Sequence, residues 1–279
     1  MSVSVVTVSF NTGPVLLDML RAALAQGVGE VVLVDNGNPR DARETLARFA
    51  ATEPRLRLLQ GHGNVGFARA CNYGAALSRG AHILFLNPDA VLQPGAVDAL
   101  LAAAQGLREP WIAGGRLVDD QGAEQAGSRR RALGLRTLLG TVLPLPGLPS
   151  INRHTEPLPD APVPMPTVSG ACMLMSREGF GRVGGFDAGY FLHVEDIALC
   201  RAARAAGGDV VFVPGAAVLH EGASSDSRSV DVERHKRDGF LRYFQTGTAL
   251  QRVAAPALAP ALSLATALRG KSAAPAPRD

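Results

Sequence analysis

Apolar positions in this chain fall first in short runs and then in spaced stripes, and the two patterns alternate. Val3 to Phe10 is a β-branched run closed by Asn11-Thr12-Gly13. Val15, Leu16, Met19, Leu20, Ala23 and Leu24 follow at helical spacing, with Pro14 at a suitable first helical position. Glu30 to Val34 is a second run, ended by Asp35-Asn36-Gly37-Asn38-Pro39. A helix is expected over 40–51, a strand over Leu56 to Leu59, and a helix from Gly63-Asn64-Val65-Gly66 to about Ser78. From Ala81 the run Ile83-Leu84-Phe85-Leu86 has the bulk of a strand buried on both faces. It stops at Asn87-Pro88-Asp89, because proline cannot donate to a sheet ladder and disfavours a helical residue before it. Strand and helix alternate in this way to Gln105, which predicts an α/β fold with a parallel sheet and right-handed crossovers.

Beyond a strand at Trp111 to Val118 the pattern is lost. Residues 119–166 are rich in Gly, Pro and Arg without a period, and are expected to form an irregular insert. Order returns with a strand over Val168 to Met175 and a short helix over Glu178 to Val183. A helix over Val194 to Ala206 carries Glu195 and Asp196 in its first turn. A strand over Val210 to Val213 and a loop over Pro214 to Ser225 carrying His220 follow. One domain over 1–250 is expected, followed by a tail at 251–279, partly disordered or surface-associated, because Pro256 and Pro260 interrupt any helix there. Its removal is expected to leave turnover of a soluble acceptor unchanged.

Composition narrows the class. In 279 residues, 47% apolar and 19% charged content describes an ordinary globule, and a net charge of +3 argues against a polyanionic partner. The cluster Arg129-Arg130-Arg131 is too short to suggest nucleic acid by itself. Cys71, Cys172 and Cys200 form no CxxC pair and read as buried free thiols of a reducing compartment. No signal peptide and no span of transmembrane length is read, so a cytoplasmic protein is expected.

Gly61-His62-Gly63-Asn64-Val65-Gly66 fits the dinucleotide fingerprint G-x-G-x-x-G. It follows the third strand, whereas that fingerprint follows the first, so a nicotinamide cofactor is not expected. A different constellation is more informative. Asp35, Asp89, Glu195-Asp196 and His220 all lie at the ends of apolar strands or the start of a helix. Each has an ordinary reading alone: a turn, a helix-dipole pair, a surface histidine. Jointly they suit displacement of a nucleoside diphosphate by an alcohol. That reaction needs an acid on the nucleoside, a metal on the diphosphate and a carboxylate base for the hydroxyl.

VTVSFNTG at 6–13, VVLVDNGN at 31–38, GNVGFARACNYG at 63–74, ILFLNPDA at 83–90, the block from Ser169 to Gly207 and VFVPGAAVLHEGAS at 211–224 carry a resemblance. With these motifs in order from Val3 to about Ser225, the chain resembles an inverting family 2 glycosyltransferase of the rhamnosyltransferase-like branch, which acts in cell-surface polysaccharide or glycolipid synthesis. The resemblance implies the GT-A fold, Rossmann-like, with a mostly parallel central sheet flanked by helices. It implies that Ser9, Phe10 and Asn11 line the base pocket, that Asp35 contacts the nucleoside, and that Asn64, Gly66, Phe67 and Arg69 close over the nucleotide. Asp89 would hold Mg²⁺ or Mn²⁺ in the Asp-x-Asp position, whose first acid is Asn87 here. His220 would be a third metal or diphosphate contact. Asp196, or alternatively its neighbour Glu195, would be the base. Adjacent helical residues point about 100° apart, so at most one of the two is expected to face the acceptor. A dTDP- or UDP-sugar donor, a carbohydrate or lipid-linked acceptor and peripheral membrane contact are the implied partners. The rivals are a nucleotide-sugar pyrophosphorylase, whose phosphate loop SFNTGP lacks, and a non-catalytic sugar-nucleotide-binding module.

Overall fold

The computed structural model describes residues 2–142, 147–220 and 230–272. The chain runs β1 (Val3–Ser9), α1 (Val15–Ala25), β2 (Glu30–Asp35), α2 (Arg40–Thr52), β3 (Leu56–Leu59), α3 (Phe67–Leu77), β4 (His82–Leu86), β5 (Ala90–Leu92), α4 (Ala96–Ala103) and β6 (Ile112–Val118). It continues with β7 (Arg129–Arg130), α5 (Leu135–Val142), β8 (Val163–Pro164), β9 (Thr167–Val168), β10 (Cys172–Ser176), α6 (Arg177–Arg182), α7 (Glu195–Ala205), β11 (Val210–His220), α8 (Val230–Gln245) and α9 (Ala249–Ser272).

The main sheet has the order β3-β2-β1-β4-β10-β6-β11-β5, with β8 pairing on β11. It is parallel where strand and helix alternate, from β3 across to β4. Beyond that it is mixed: β10 is antiparallel to both β4 and β6, and β11 runs parallel to β6. β1 and β2 are buried at every position, their small or end-placed polar residues included, which is why they read as short β-branched and apolar runs. Apolar side chains fill a core on each face of the sheet. On one face Phe85 of β4 meets Phe180 and Phe186, with ring centroids 4.9 Å apart in each pair. Gly74 lets α3 lie close on the sheet, since a Cβ there would sit 2.5 Å from Val6 Cγ1. Cys71, Cys172 and Cys200 are buried free thiols, as expected.

Several expectations need correction. Pro214 to His220 is not a loop: β11 continues through it to His220, with a bulge between Val213 and Ala217 that absorbs Pro214. The insert 119–166 is not irregular throughout. It supplies β7, α5 and β8, and it buries Leu133, Leu138, Ile151 and Met165 in the core. Helix α8 had no counterpart in the sequence reading. Helix α9 forms across Pro256 and Pro260, which are both exposed, so water reaches the two carbonyls that lose their amide partners. Ala255, Leu258 and Leu262 of α9 are buried in the same core as Phe85. Residues 221–225 of the expected loop and 273–279 of the tail lie outside the described residues.

Candidate active site

A cavity of about 440 Å³ opens where β1 and β4 end and α7 begins. Strand ends in an open α/β sheet leave such a crevice because the connections on either side turn away from each other. Phe10, Asn64, Gly66, Phe67, Asn87, Asp89, Glu195, Asp196 and His220 line it, as the sequence suggested. Ser9, Asn11, Asp35 and Arg69 are not among its lining residues.

Three of those four instead shape the loops on one side. Asp35 Oδ1 accepts bonds from Gly37 N, Asn38 N and Asn38 Nδ2, and its Oδ2 accepts one from Gln60 Nε2 at 3.0 Å. The Asn38 side chain fixed in this way accepts from Ser9 Oγ at 3.1 Å and Asn11 N at 2.8 Å. The loop after β1 is thereby tied to the loop after β2. Asn11 sits at φ 53, a left-handed position that asparagine tolerates. Arg69 is exposed and donates to Ala188 O. Asn36 reaches the cavity, donating to Asn64 Oδ1 at 2.9 Å and accepting from Val65 N. Gly66 has φ +85 and lies against Phe191, whose carbonyl accepts from Phe67 N at 2.7 Å.

Asp89 and His220 are brought together by backbone pairing. Asp89 leads directly into β5, where Ala90 is registered opposite His220 at the end of β11. His220 Nε2 lies 3.4 Å from Asp89 Oδ1 and 3.5 Å from Asn87 Nδ2. Gln125, from the insert, orients the ring. Its Nε2 donates to His220 O, which turns its Oε1 toward His220 Nδ1 at 3.0 Å. With Gln125 at Nδ1, the ring turns Nε2 toward the Asp89 carboxylate and Asn87 Nδ2. An imidazole nitrogen and a carboxylate oxygen converging in this manner suit a divalent cation whose other ligands are phosphate oxygens and water. Among the described residues there is no group of three or more His, Cys, Asp or Glu side chains that could hold a metal by themselves.

The start of α7 carries the other acids. His193 and Val194 both take positive φ, 69 and 72, a conformation that a β-branched valine rarely adopts. This tight turn places Glu195 and Asp196 together in the cavity wall. Both sit in the first helical turn, where the helix end rather than its side meets the cavity.

The two carboxyls have opposite surroundings. Asp196 Oδ2 accepts from Gly170 N at 2.9 Å and from the Arg130 guanidinium, and Oδ1 accepts from Ile197 N at 2.7 Å. Burial alone would push Asp196 up, but Arg130 and these donors hold it below the usual carboxylate range. Glu195 Oε2 is buried and has no hydrogen-bond partner within the described protein. Burial, reinforced by the neighbouring Asp196 charge, pushes Glu195 up to about 8. Beside them His193 is lowered to about 4, first by burial and then by Lys236. The sequence reading missed Arg130, and also Asn36, Gln125 and Phe191. Arg130 was visible only as part of a basic cluster, and nothing local in the sequence pairs residues 66 positions apart.

Known proteins place the chain in a family. The family model described as Glycosyl transferase family 2 matches residues 4–184. A second model, Glycosyltransferase like family 2, matches residues 153–240. The N-acetylglucosaminyl-diphospho-decaprenol L-rhamnosyltransferase of Mycobacterium tuberculosis is 32% identical over 242 residues, covering 80% of this chain and 77% of its own length. Rhamnosyltransferase WbbL of Escherichia coli is 43% identical over a shorter stretch of 61 residues, 22% of this chain and 23% of WbbL. In fold, the chain is similar to GalNAc-T7 solved with UDP, GalNAc and Mn²⁺. The TM-score is 0.69 at 16% identity, over 95% of this chain and 51% of that one. It is also similar to the mannosyltransferase PcManGT of Pyrobaculum calidifontis, solved with GDP-Man and Mn²⁺. That TM-score is 0.58 at 17% identity, over 99% of this chain and 76% of that one. At such identities the structures bear on the fold, which is the expected GT-A architecture. With a family model spanning most of the chain and a relative similar along most of both lengths, this chain belongs to glycosyltransferase family 2.

Proposed function

We propose that the chain transfers a hexose, with rhamnose as the first candidate, from a nucleoside-diphosphate donor to an acceptor hydroxyl with inversion at the anomeric carbon. One observation carries this reading: a single cavity is lined both by the Asp89–His220 pair and by a buried, ionised Asp196. The first suits a diphosphate leaving group and the second suits an attacking alcohol.

In this reading the nucleoside lies among Phe10, Asn36 and Asn64, on loops that Asp35 and Asn38 hold in place. Asp196 accepts the proton of the acceptor hydroxyl as its oxygen bonds to the anomeric carbon and the bond to the diphosphate breaks. Oδ1 keeps the greater free acceptor capacity, since it receives one hydrogen bond where Oδ2 receives two. Glu195 is protonated at neutral pH and so leaves the charge of the pair on Asp196. Asp89 and His220 Nε2 would hold a Mg²⁺ or Mn²⁺ ion. When bound, the ion supplies positive charge to the departing diphosphate. With one carboxylate in that set, affinity for the cation is modest until the donor adds its phosphates.

The mycobacterial relative's name gives a lipid-linked diphosphate acceptor, which suggests one here and a place at the membrane surface. No helix among the described residues is long and apolar enough to cross a membrane. Among the described side chains of α9, Leu250 and Val253, 71% and 79% exposed, are apolar groups available for a peripheral contact.

A thermal-shift screen with Mn²⁺ across UDP-, dTDP- and GDP-sugars tests the donor reading, since a ligand that binds only the folded state raises the melting temperature. The expected result is one base class that stabilises the protein only with the cation, releases its nucleoside diphosphate on adding acceptor, and yields the inverted anomer by NMR. If no nucleotide sugar shifts the melting temperature or turns over, the reading is wrong.

A further inference from the structure

Three consecutive arginines in the insert go to three different acids. Arg129 pairs with Glu124 at 2.9 Å, Arg131 pairs with Glu156, and Arg130 pairs with Asp196. A strand sends alternate side chains to opposite faces, so the middle one alone turns into the cavity. Arg130 is held there by register. It stands opposite Thr167 in the β7–β9 pair, and its guanidinium also donates to Val168 O at 3.1 Å. The Arg130 and Asp196 side chains are 13% and 12% exposed, so their attraction is only weakly screened by water.

From this arrangement we infer that Arg130 is the positioning residue for the base: it decides which of two adjacent buried carboxyls carries the charge and keeps Asp196 Oδ1 turned to the acceptor. The inference rests on the transfer reading above and adds to it a residue of the insert. Two neighbouring carboxylates in one buried site do not ionise together readily, and something must break the tie. Arg130 reaches Asp196 Oδ2, whereas Glu195 Oε2 has no such partner. The other titratable groups around Asp196 do not break it. His193 just before the helix is neutral, and Cys200 one turn on is pushed up to about 12 by burial. Lys236, Glu233 and His235 of α8 act on His193, and no direct contact of theirs with Asp196 is present among the described residues.

The test is the pH dependence of turnover at saturating donor for Arg130→Met and Arg130→Lys beside the wild type. An opposite charge at contact distance lowers an aspartate by about 1–3 pH units. The acid limb of kcat for Arg130→Met should therefore move up by about one unit or more. Its turnover should fall about 10-fold or more on the acid side of the limb and approach the wild type as the pH is raised to neutrality, with donor KM changed less than about twofold. Arg130→Lys, which keeps the charge, should keep its acid limb near that of the wild type. If kcat falls by the same factor at every pH with the limb unmoved, Arg130 only supports the fold and the inference is overturned. Should Arg130→Met not fold, Arg130→Gln against Arg130→Lys makes the same comparison. A wild type inactive with every nucleotide sugar would instead remove the transfer reading on which this rests.

Discussion

Leu258→Ala measures whether α9 is part of the catalytic domain. Leu258 is 9% exposed and packs, with Ala255 and Leu262, into the core that holds Phe85. Removing a buried leucine side chain costs about 2–5 kcal/mol, depending on how far the site can close over the space. Leu258 lies on a peripheral helix that can settle inward, so the lower part of that range, about 2–3 kcal/mol, is expected. With a urea dependence of about 3 kcal/mol per molar, the unfolding midpoint should fall by about 0.7–1 M. Leu250→Ala is the internal control, because that leucine is 71% exposed on the same helix. Its effect should stay within about 0.5 kcal/mol, or roughly 0.2 M. Leu262→Ala lies one turn along, and its effect should not simply add to that of Leu258→Ala because the two share a contact surface. Equilibrium urea unfolding followed by tryptophan fluorescence from Trp111 reads all of these. If Leu258→Ala moves the midpoint no more than Leu250→Ala does, α9 is not packed as described. The same packing reverses the expectation for deleting 251–279, which should now destabilise the domain and lower the yield of active protein.

Asp196→Asn should lower turnover by about 10²–10⁴ with donor affinity little changed, whereas Glu195→Gln should retain turnover; the opposite outcome would make Glu195 the base. Glu195 also predicts a pH effect on stability. Its folded value of about 8 lies above its ordinary value of 4.5, so its contribution is fully present below 4.5 and is lost as the pH rises through about 8. Glu195→Gln should therefore gain stability over the wild type between pH 5 and pH 8.5 in urea unfolding, and an equal difference at both ends would contradict the assignment. Gln125→Leu removes the group that fixes the His220 ring, and should weaken Mn²⁺ binding about 10- to 100-fold with the fold intact. Unchanged Mn²⁺ affinity by calorimetry in the presence of donor nucleotide would remove His220 from the cation site.

Much of this was legible in the residues because the strands involved are buried at almost every position. β1, β2 and β4 are built mainly of Val, Leu, Ile and Phe, and their polar ends mark the crevice that holds Asn36, Asn87 and Asp89. What was not legible lacks a local signal. Arg130 and Gln125 act on residues far along the chain through a two-residue strand and an isolated bridge, and neither leaves a period to detect. Helix α9 was obscured by its prolines, whose local penalty is outweighed by burying three apolar side chains spaced for one helical face. The resemblance implied a nucleoside role for Asp35 but gave no sign of the hydrogen bonds by which it also organises the loop. A short acid-rich turn looks the same in sequence whichever way the carboxylate points.

The short pairing of β5 with β11 has a consequence for how the chain tolerates change. Its register sets Val218 against Leu92 and His220 against Ala90, with Leu92, Ala90 and Val218 all buried. A slip of one residue would turn His220 to the opposite face of the sheet and take it away from Asp89. Two apolar side chains with no chemistry of their own thus act as an alignment pin for the imidazole. Variation at Leu92 or Val218 should therefore disturb the approach of His220 to Asp89 as well as the packing of the strand pair.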